Sequence, residues 1–230
     1  MKGKPLIALA ALFQHSPLVF ITKDRNDIKS PIDFKGKKIM VSGGLEYQAS
    51  LTALLKANGI TLDQYHLLNH SYNIDDLVTG KTDIISAYLS NQPFELSQRG
   101  IEYKVFDPRD EGFDFYGNIL FTSQSRLHQD PNTVNQFYQA TLKGWQYAFD
   151  NVEETVDLIL AKYNTQNKSR EALLFEANAL KKIVYDEKGS IGTLNQNRVV
   201  QISQIYRLLG ITDSSESLDD FLYNPESRIR

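Results

Sequence analysis

Apolar residues near the start of the chain occur in continuous runs and do not alternate with polar ones. Pro5–Leu12 is one such run, Leu18–Ile21 is a second, and Lys37–Val41 ends in a third. Short continuous apolar runs are typical of strands that are buried on both faces. The polar residues Gln14–Ser16 separate the first two runs, so the pattern predicts a break in the chain between two strands.

From Lys37 to Asp107, short predicted strands alternate with short predicted helices that end at glycines. Such alternation indicates βαβ units and a mainly parallel sheet. The predicted elements are the strand Lys37–Val41, the helix Glu46–Asn58, the strand Tyr65–Asn69, the helix Ile74–Val78, the strand Asp83–Leu89, the helix Pro93–Arg99 and the strand Tyr103–Phe106.

After residue 107 the pattern changes to that of long amphipathic helices. Asp130-Pro131 is typical of a helix start, because aspartate caps free N–H groups and proline suits the first turn. The sequence therefore predicts an α/β protein with a helix-rich C-terminal part. The predicted elements here are the strand Asn118–Thr122 and the helices Pro131–Phe149, Val152–Tyr163, Ser169–Tyr185 and Asn195–Leu209.

The order of these elements predicts two lobes. We assign residues 1–30 and 108–230 to a first lobe and residues 31–107 to an α/β second lobe inserted into it. The chain then crosses between the lobes near Thr22–Lys35 and again near Asp107–Tyr116. Two such crossings are typical of a hinge, and a cleft between lobes is a common site for a small ligand.

The composition argues against one class of partner and excludes cysteine-based chemistry. Lys and Arg number 25 against 28 Asp and Glu, which gives a net charge of −3 and argues against a nucleic-acid partner. The absence of cysteine excludes disulfides, thiolate metal sites and cysteine nucleophiles. His66 and His70 have a spacing that would suit a metal on a helix, but their segment is a predicted strand and turn. We therefore predict no metal site.

Candidate ligand residues follow the first strand of the second lobe. In Ser42-Gly43-Gly44 the glycines allow a close approach of the backbone to a ligand, and the helix that follows offers free N–H groups. The segment is neither a phosphate-binding P-loop nor a dinucleotide fingerprint. Glu46 would repel a phosphate and suits a neutral or cationic nitrogen group. An ordinary βα turn is the alternative interpretation.

Another segment of the same lobe runs from a predicted strand end to a helix start, where Tyr88 and Asn91 offer an aromatic ring and an amide. Tyr88 as a packing residue within the lobe is the alternative. No nucleophile elbow, Ser–His–Asp pattern or cofactor lysine motif occurs in the chain. The pattern therefore favours a binding protein over an enzyme, with no catalytic residue and no cofactor.

The breaks and crossings add four further candidates. His15 and Ser16 lie between the first two strands, where His15 could donate to a ligand or carry a proton. Asp114 and Tyr116 lie at the second crossing and could supply a carboxylate and a ring to the cleft. A structural hydrogen-bonded His15, and a role of Asp114 and Tyr116 in fixing the hinge, are the alternatives.

Six segments in the same order resemble a known family. The chain is similar to the thiamine-pyrimidine-synthase-like branch of type 2 periplasmic binding proteins, and within it to the extracytoplasmic sensor domains of bacterial histidine kinases and diguanylate cyclases. The segments are Phe13–Pro17, Asp33–Gly44, Asn73–Leu77, Ser86–Asn91, Asp114–Gly117 and Leu142–Ala148.

The resemblance implies a two-lobed fold that closes on a small molecule, such as a thiamine-precursor pyrimidine or a similar polar compound. It implies a periplasmic or extracytoplasmic receptor, either a sensor domain or a solute-binding protein, with its signal or anchor outside this chain. A membrane-anchored signalling protein, a permease and a homodimer stay open as partners. A pyrimidine-forming enzyme is the alternative function, but the cysteine-rich motif of the fungal enzymes cannot occur here. Other catalytic activity would belong to a separate kinase or cyclase domain.

Members of that family usually carry a further stretch before the equivalent of Lys4. We therefore expect part of the first lobe and of its ligand site to be missing. Pro5–Leu12 is then expected to be a central strand of a parallel sheet with one open edge, which would favour association or leave only Lys37–Asp107 stably folded.

Overall fold

The computed structural model describes residues 5–43, 48–212, 218 and 221–224. These residues group into two units. The first unit contains residues 5–16, 116–204, 218 and 221–224, and the second contains residues 17–115 and 205–212. The chain passes between the units after Ser16, after Phe115 and after Gln204.

Strands belong to both units, and most helices belong to the first. The strands are β1 Leu6–Phe13, β2 Leu18–Lys23, β3 Lys38–Val41, β4 His66–Asn69, β5 Ile84–Tyr88, β6 Tyr103–Phe106 and β7 Gly117–Ser123. The α-helices are α1 Ala49–Ala57, α2 Asp75–Val78, α3 Gln92–Gln98, α4 Gln124–Gln129, α5 Pro131–Asp150, α6 Val152–Lys162, α7 Arg170–Val184 and α8 Gln196–Leu208. None of the described helices is long and apolar enough to cross a membrane.

The second unit is built on a five-stranded mixed sheet with the order β4-β3-β5-β2-β6. Strand β3 pairs in parallel with β4 and with β5, as the βαβ pattern predicts. Strand β2 pairs antiparallel with β5 and β6. This corrects the assignment of residues 17–30 to the first lobe, because the backbone hydrogen bonds of β2 place it inside the second sheet.

Residues 108–115 also belong to the second unit and not to the first, which corrects the other boundary. A 3₁₀ helix at Pro108–Glu111 follows β6 directly, capped by Asp107, whose side chain accepts the N–H of Arg109 at 2.9 Å. The amide of Asn58, at the end of α1, donates to Glu111 at 2.8 Å. These contacts tie the segment to the second unit.

Both faces of the five-stranded sheet are covered by apolar side chains. Ile39 and Val41 of β3 face a cluster that includes Leu51 of α1, whereas Met40 faces a cluster that includes Leu77 of α2 and Leu96 of α3. Since neighbouring side chains of a strand point to opposite faces, a strand covered on both sides needs a continuous apolar run. The apolar run that ends in Val41 is continuous because β3 is covered on both faces.

Phe34 lies at the centre of one of these clusters, at the end of a 3₁₀ helix, Pro31–Phe34. The carboxylate of Asp33 accepts the backbone N–H groups of Lys29 and Ser30 at 2.9 Å each, which fixes the start of this helix. The ring of Phe34 meets Phe20 at 5.4 Å and Phe106 at 5.0 Å, in both cases edge to face. Phe34 therefore connects a loop to two strands of the sheet.

In the first unit, β1 pairs antiparallel with β7. The other edge of β1 is paired as well. Ala8 N donates to Phe221 O at 2.8 Å, Tyr223 N donates to Ala8 O at 2.9 Å, and Ala11 N donates to Gly192 O at 3.3 Å. The expectation of a central strand in a parallel sheet with one open edge is therefore wrong, since segments from late in the chain supply that edge.

Helices pack on both faces of β1. Ala10 and Leu12 contact a cluster with Phe149 of α5 and Ile183 of α7, whereas Ile7 and Leu9 contact Leu127 and Val134. The pairing of β1 with β7 has a register shift between Ala8 and Ala10. The apolar residues on both faces of β1, which the sequence pattern predicts, are thus buried by helices of the C-terminal part.

Candidate functional site

Three loops leave the second sheet at the same edge. Because β3 runs parallel to β4 and β5, the loops that follow Val41, Asn69 and Tyr88 all begin at the carboxyl ends of neighbouring strands. In open α/β sheets this edge is where ligands bind. We call the residues of these loops, with Gln48 and Ser86 behind them, the carboxyl-edge cluster. The loops carry Ser42 and Gly43, His70 to Tyr72, and Leu89 to Asn91.

Ser42 connects the parts of the carboxyl-edge cluster. Its backbone N–H donates to the hydroxyl of Ser86 at 3.3 Å, and its own hydroxyl lies 2.5 Å from the hydroxyl of Tyr72. The side-chain amide of Gln48 donates to its carbonyl at 2.5 Å. Gly43 follows at a φ of 69°, a conformation that suits glycine. Gly44 and Glu46 lie outside the described residues.

Gln48 is buried and contributes an acceptor that is unpaired within the part of the chain that the structure describes. The residue is 6% exposed, and its Oε1 has no hydrogen-bond partner among the described residues. An unsatisfied buried acceptor costs about 1–3 kcal/mol. A ligand N–H group beside Ser42 would remove this cost, so the residue favours ligands that donate hydrogen bonds.

His70 and Tyr72 form the second part of the cluster. The ring of His70 accepts the backbone N–H of Tyr72 on Nδ1 at 2.8 Å, and its Nε2 lies 3.0 Å from the carbonyl of Ser86. Burial lowers the pKa of His70, opposed by the bond to Ser86 and by the charge of Asp76. The Tyr72 ring lies 4.9 Å from the imidazole. Each ring nitrogen of His70 thus has a backbone group as its hydrogen-bond partner.

No group of three or more His, Cys, Asp or Glu side chains within the described ranges is placed to hold a metal ion. His66 is exposed on β4, apart from the turn that engages His70.

Tyr88 and Asn91 lie at the same edge, around the start of α3. Tyr88 is 49% exposed, and its backbone N–H donates to the side chain of Gln92 at 2.9 Å. Asn91 N donates to Tyr88 O at 3.0 Å, which closes the turn between strand and helix. The structure therefore places Ser42, Gly43 and Asn91 on neighbouring loops of one unit, and Tyr88 at the end of the strand that leads into one of them.

The first unit holds a separate group of candidate residues. The backbone N–H groups of Gln14 and His15 both donate to Ile183 O, at 2.7 Å and 3.1 Å. The buried amide of Gln14 donates to Ala11 O at 3.0 Å and to Thr193 O at 2.8 Å. These bonds hold the break between β1 and β2 that carries His15 and Ser16.

Arg198 of α8 connects this break to Tyr116. Its guanidinium donates to Gln14 O at 2.5 Å and lies 4.2 Å from the centre of the Tyr116 ring. The hydroxyl of Tyr116 accepts the N–H of Asn195 at 3.1 Å. His15, Ser16 and Tyr116 thus share one framework in the first unit, whereas Asp114 belongs to the second unit.

Sequence reasoning missed five residues of these two groups. They are Gln48, His70, Tyr72, Ser86 and Arg198. For His70 and Tyr72 a signal exists in the chain, because a polar segment directly follows a predicted parallel strand, as it does after Val41 and Tyr88. For Arg198 no local pattern exists, since its partner Gln14 lies near the other end of the chain.

Comparisons with known proteins agree with this architecture. The chain is 23% identical over 172 residues to the formylaminopyrimidine-binding protein of Halalkalibacterium halodurans, which covers 72% of this chain and 51% of that protein. It is 26% identical over 165 residues to the riboflavin-binding protein RibY of Chloroflexus aurantiacus, covering 69% and 46%. The chain therefore spans about half the length of these relatives.

Solved structures of similar fold include the periplasmic aliphatic sulphonate-binding protein SsuA of Escherichia coli, with a TM-score of 0.74 at 12% identity, covering 97% of this chain and 70% of that one. The desulfurization enzyme DSZB is also similar, with a TM-score of 0.64 at 14% identity, covering 97% and 78%. The predicted α/β fold of the periplasmic-binding-protein type is thus confirmed, and this fold is shared by binding proteins and an enzyme.

A family model described as "NMT1/THI5 like" matches residues 1–155, about two thirds of the chain. This stretch includes β1 to β7 and the carboxyl-edge cluster. The chain belongs to the NMT1/THI5-like family.

Proposed function

We propose that this chain is the ligand-binding part of an extracytoplasmic receptor for a small, flat molecule with nitrogen-bound hydrogens. The observation that carries the proposal is the convergence of Ser42, Gln48 and Tyr72 at the carboxyl ends of parallel strands. Buried acceptors are nearly always hydrogen-bonded, whereas Gln48 Oε1 has no partner within residues 5–43 and 48–212. A ligand N–H group bound at this site would supply the hydrogen bond that this atom lacks.

The exposed rings at the carboxyl-edge cluster support a flat ligand. Tyr72 is 76% exposed and Tyr88 is 49% exposed. In the strand order, β3 lies between β4 and β5. Tyr72 follows β4 and Tyr88 ends β5, so the two rings belong to the strands on either side of the one that leads to Ser42. Aromatic side chains bind planar heterocycles by stacking. The names of two relatives, a formylaminopyrimidine-binding and a riboflavin-binding protein, also denote planar nitrogen heterocycles.

The receptor is proposed to act with a membrane-anchored partner. A sensor domain would pass the binding signal to a histidine kinase or diguanylate cyclase, and a solute-binding protein would deliver its ligand to a permease. Either role is compatible with the proposal, because a ligand that binds one conformation better than another shifts the population that a partner meets. The neighbouring genes distinguish the two roles. A kinase or cyclase domain would indicate a sensor, and a permease would indicate a solute-binding protein.

Thermal denaturation with added ligand tests the proposed function. The probes are formylaminopyrimidine, riboflavin and an alkanesulfonate, each titrated against the full chain. A ligand at about 100 times its Kd stabilises the folded state by about 2.7 kcal/mol. We expect formylaminopyrimidine to raise the melting temperature. Stabilisation by the sulfonate alone would overturn the assignment to planar nitrogen compounds, and no stabilisation by any probe would overturn the proposed ligand class.

Replacement of Tyr88 by alanine is expected to weaken binding of formylaminopyrimidine by about 1–3 kcal/mol, the usual contribution of one stacked ring. Isothermal titration calorimetry measures the change. Tyr163→Ala is the matched control, because Tyr163 is a similarly exposed tyrosine in the first unit, at the end of α6. Equal affinities of the Tyr88 variant and the unaltered protein would remove Tyr88 from the site.

A further inference from the structure

Tyr72 has a backbone conformation that is uncommon for a residue other than glycine. Its φ is 61°, in the left-handed region, which costs a residue with a side chain about 1–2 kcal/mol. Three contacts hold it there: its N–H donates to His70 Nδ1 at 2.8 Å, its hydroxyl lies 2.5 Å from Ser42 Oγ, and its ring lies 4.9 Å from the imidazole. Strain of this kind persists where the surroundings fix it, and it concentrates at functional sites.

The partners of His70 decide where its proton lies. A backbone N–H can only donate, so the Nδ1 that receives Tyr72 N must carry a lone pair. A backbone carbonyl can only accept, so the Nε2 that faces Ser86 O must carry the hydrogen. The structure therefore requires the neutral imidazole with its proton on Nε2. An imidazolium would point a second N–H at the N–H of Tyr72.

The surroundings of the ring favour the neutral form. Strand β5 contributes the Ser86 carbonyl, and β3 contributes the Val41 carbonyl, which accepts His70 N at 3.0 Å. Helix α2 contributes Asp76, whose charge favours the imidazolium but which is paired with Lys81 at 2.8 Å. Burial outweighs these effects and lowers the pKa of His70 below its ordinary value of 6.5. The imidazole of His70 is thus neutral at neutral pH.

We propose that His70 is a positioning residue whose neutral imidazole holds Tyr72 in its left-handed conformation at the carboxyl-edge cluster, and that protonation of Nδ1 releases Tyr72. The effect on ligand affinity rests on the proposed function, whereas the coupling between His70 and Tyr72 does not. Acid is therefore expected to lower the ligand affinity of the carboxyl-edge cluster. The group that titrates is the ring of His70, which is separate from the proposed ligand contacts.

Nuclear magnetic resonance of the ligand-free full chain tests the coupling. Long-range proton–nitrogen spectra of histidine-labelled protein report the tautomer of each ring, and the intraresidue N–H to Hα cross-peak of Tyr72 reports its positive φ. We expect an unprotonated Nδ1 on His70 at neutral pH. On acidification, the cross-peak of Tyr72 should weaken to the intensity typical of a negative φ, with the same midpoint as the titration of His70. A proton on Nδ1 at neutral pH, or a Tyr72 φ that ignores the titration, would overturn the proposal.

Two variants separate the two nitrogens of the ring. In His70→Asn the side-chain oxygen can accept the N–H two residues later, as Asn73 already does for Asp75 N at 2.9 Å in the same loop. His70→Gln places an amide nearer to Ser86 O but offers Tyr72 no equivalent turn. We expect the asparagine variant to keep Tyr72 at positive φ at every pH and the glutamine variant to lose it. Identical behaviour of the two folded variants would contradict a role of Nδ1.

His66→Asn is the matched control, because His66 is exposed on β4 and belongs to the same chain segment. It should leave the tautomer of His70 and the conformation of Tyr72 unchanged. A loss of the Tyr72 conformation in this variant would show that the loop responds to any change in the segment, which would also overturn the proposal.

Calorimetry with formylaminopyrimidine gives the functional result. Release of Tyr72 should lower the affinity of the unaltered protein about 5- to 30-fold between neutral pH and a pH below the His70 titration, which corresponds to one or two kcal/mol. His70→Asn, measured at the same pH values, should show no such loss and removes any titration of the ligand itself from the comparison. An equal loss in both proteins would overturn the role of His70 in binding. If formylaminopyrimidine binds neither protein at any pH, the proposed ligand fails and the resonance experiment alone decides the coupling.

Discussion

Phe34→Ala is expected to lower the free energy of unfolding of the second unit by about 3–5 kcal/mol, the usual cost of removing a buried phenylalanine. Phe34 is fully buried and meets Phe20 and Phe106 edge to face, so truncation leaves a cavity between a loop and two strands. Hydrogen exchange followed by mass spectrometry measures the change on peptides that contain Ile39 or Ile84, which lie in the same cluster.

Ile32→Ala is the matched control for this prediction. Ile32 belongs to the same 3₁₀ helix as Phe34 but is 44% exposed. Its truncation removes an apolar side chain from the same turn without opening a cavity, and surface changes of this kind usually stay within about 0.5 kcal/mol. Comparable losses of protection in the two variants would mean that the helix, and not the burial of Phe34, stabilises the sheet.

Gly192→Ala should destabilise the first unit by about 2–5 kcal/mol, because two costs add. Gly192 has a φ of 86°, where a residue with a Cβ costs about 1–2 kcal/mol. An added Cβ would also overlap Leu142 Cδ2 and lie 3.3 Å from Ala10 Cβ, and overpacking of this kind typically costs about 1–3 kcal/mol. Trp145, the chain's one tryptophan, reports urea unfolding of this unit by fluorescence, since it packs against Phe13 at 5.8 Å.

Gly189→Ala separates the two costs. Gly189 has a similar φ of 78°, but an added Cβ would meet nothing within 4 Å. This variant should show the backbone cost alone, and the difference between the two variants then measures the overlap with Leu142. If Gly189→Ala is as damaging as Gly192→Ala, the close packing against β1 contributes nothing.

The second unit is the part of the fold that the sequence predicts well. Its strands are short apolar runs separated by glycine-ended helices, and the parallel pairing of β3 with β4 and β5 follows from that order. The boundary at residue 17 could not be predicted. A run such as Leu18–Ile21 has the same apolar pattern whichever sheet it joins, and only its hydrogen bonds with β5 and β6 decide.

The candidate sites were predictable where a strand ends and hidden where distant segments meet. The rule that parallel strands end at one edge selects Ser42 and Tyr88 from the chain alone. It does not reveal that His70 fixes Tyr72, because that depends on a hydrogen bond within a turn whose conformation no residue type dictates. Arg198 is hidden for another reason, since its contact with Gln14 joins segments from opposite ends of the described chain.

The pairing of β1 has a consequence for the order in which the chain folds during synthesis. Residues 17–115 of the second unit are contiguous and leave the ribosome together, so their sheet can form at once. Strand β1 emerges before them, but its partners β7, Gly192 and Phe221 emerge only later. Pairings between such distant positions form slowly, because a long loop must first close. We therefore expect the nascent chain to carry β1 unpaired until β7 has emerged, and with one edge still open to a chaperone until Gly192 and Phe221 have followed.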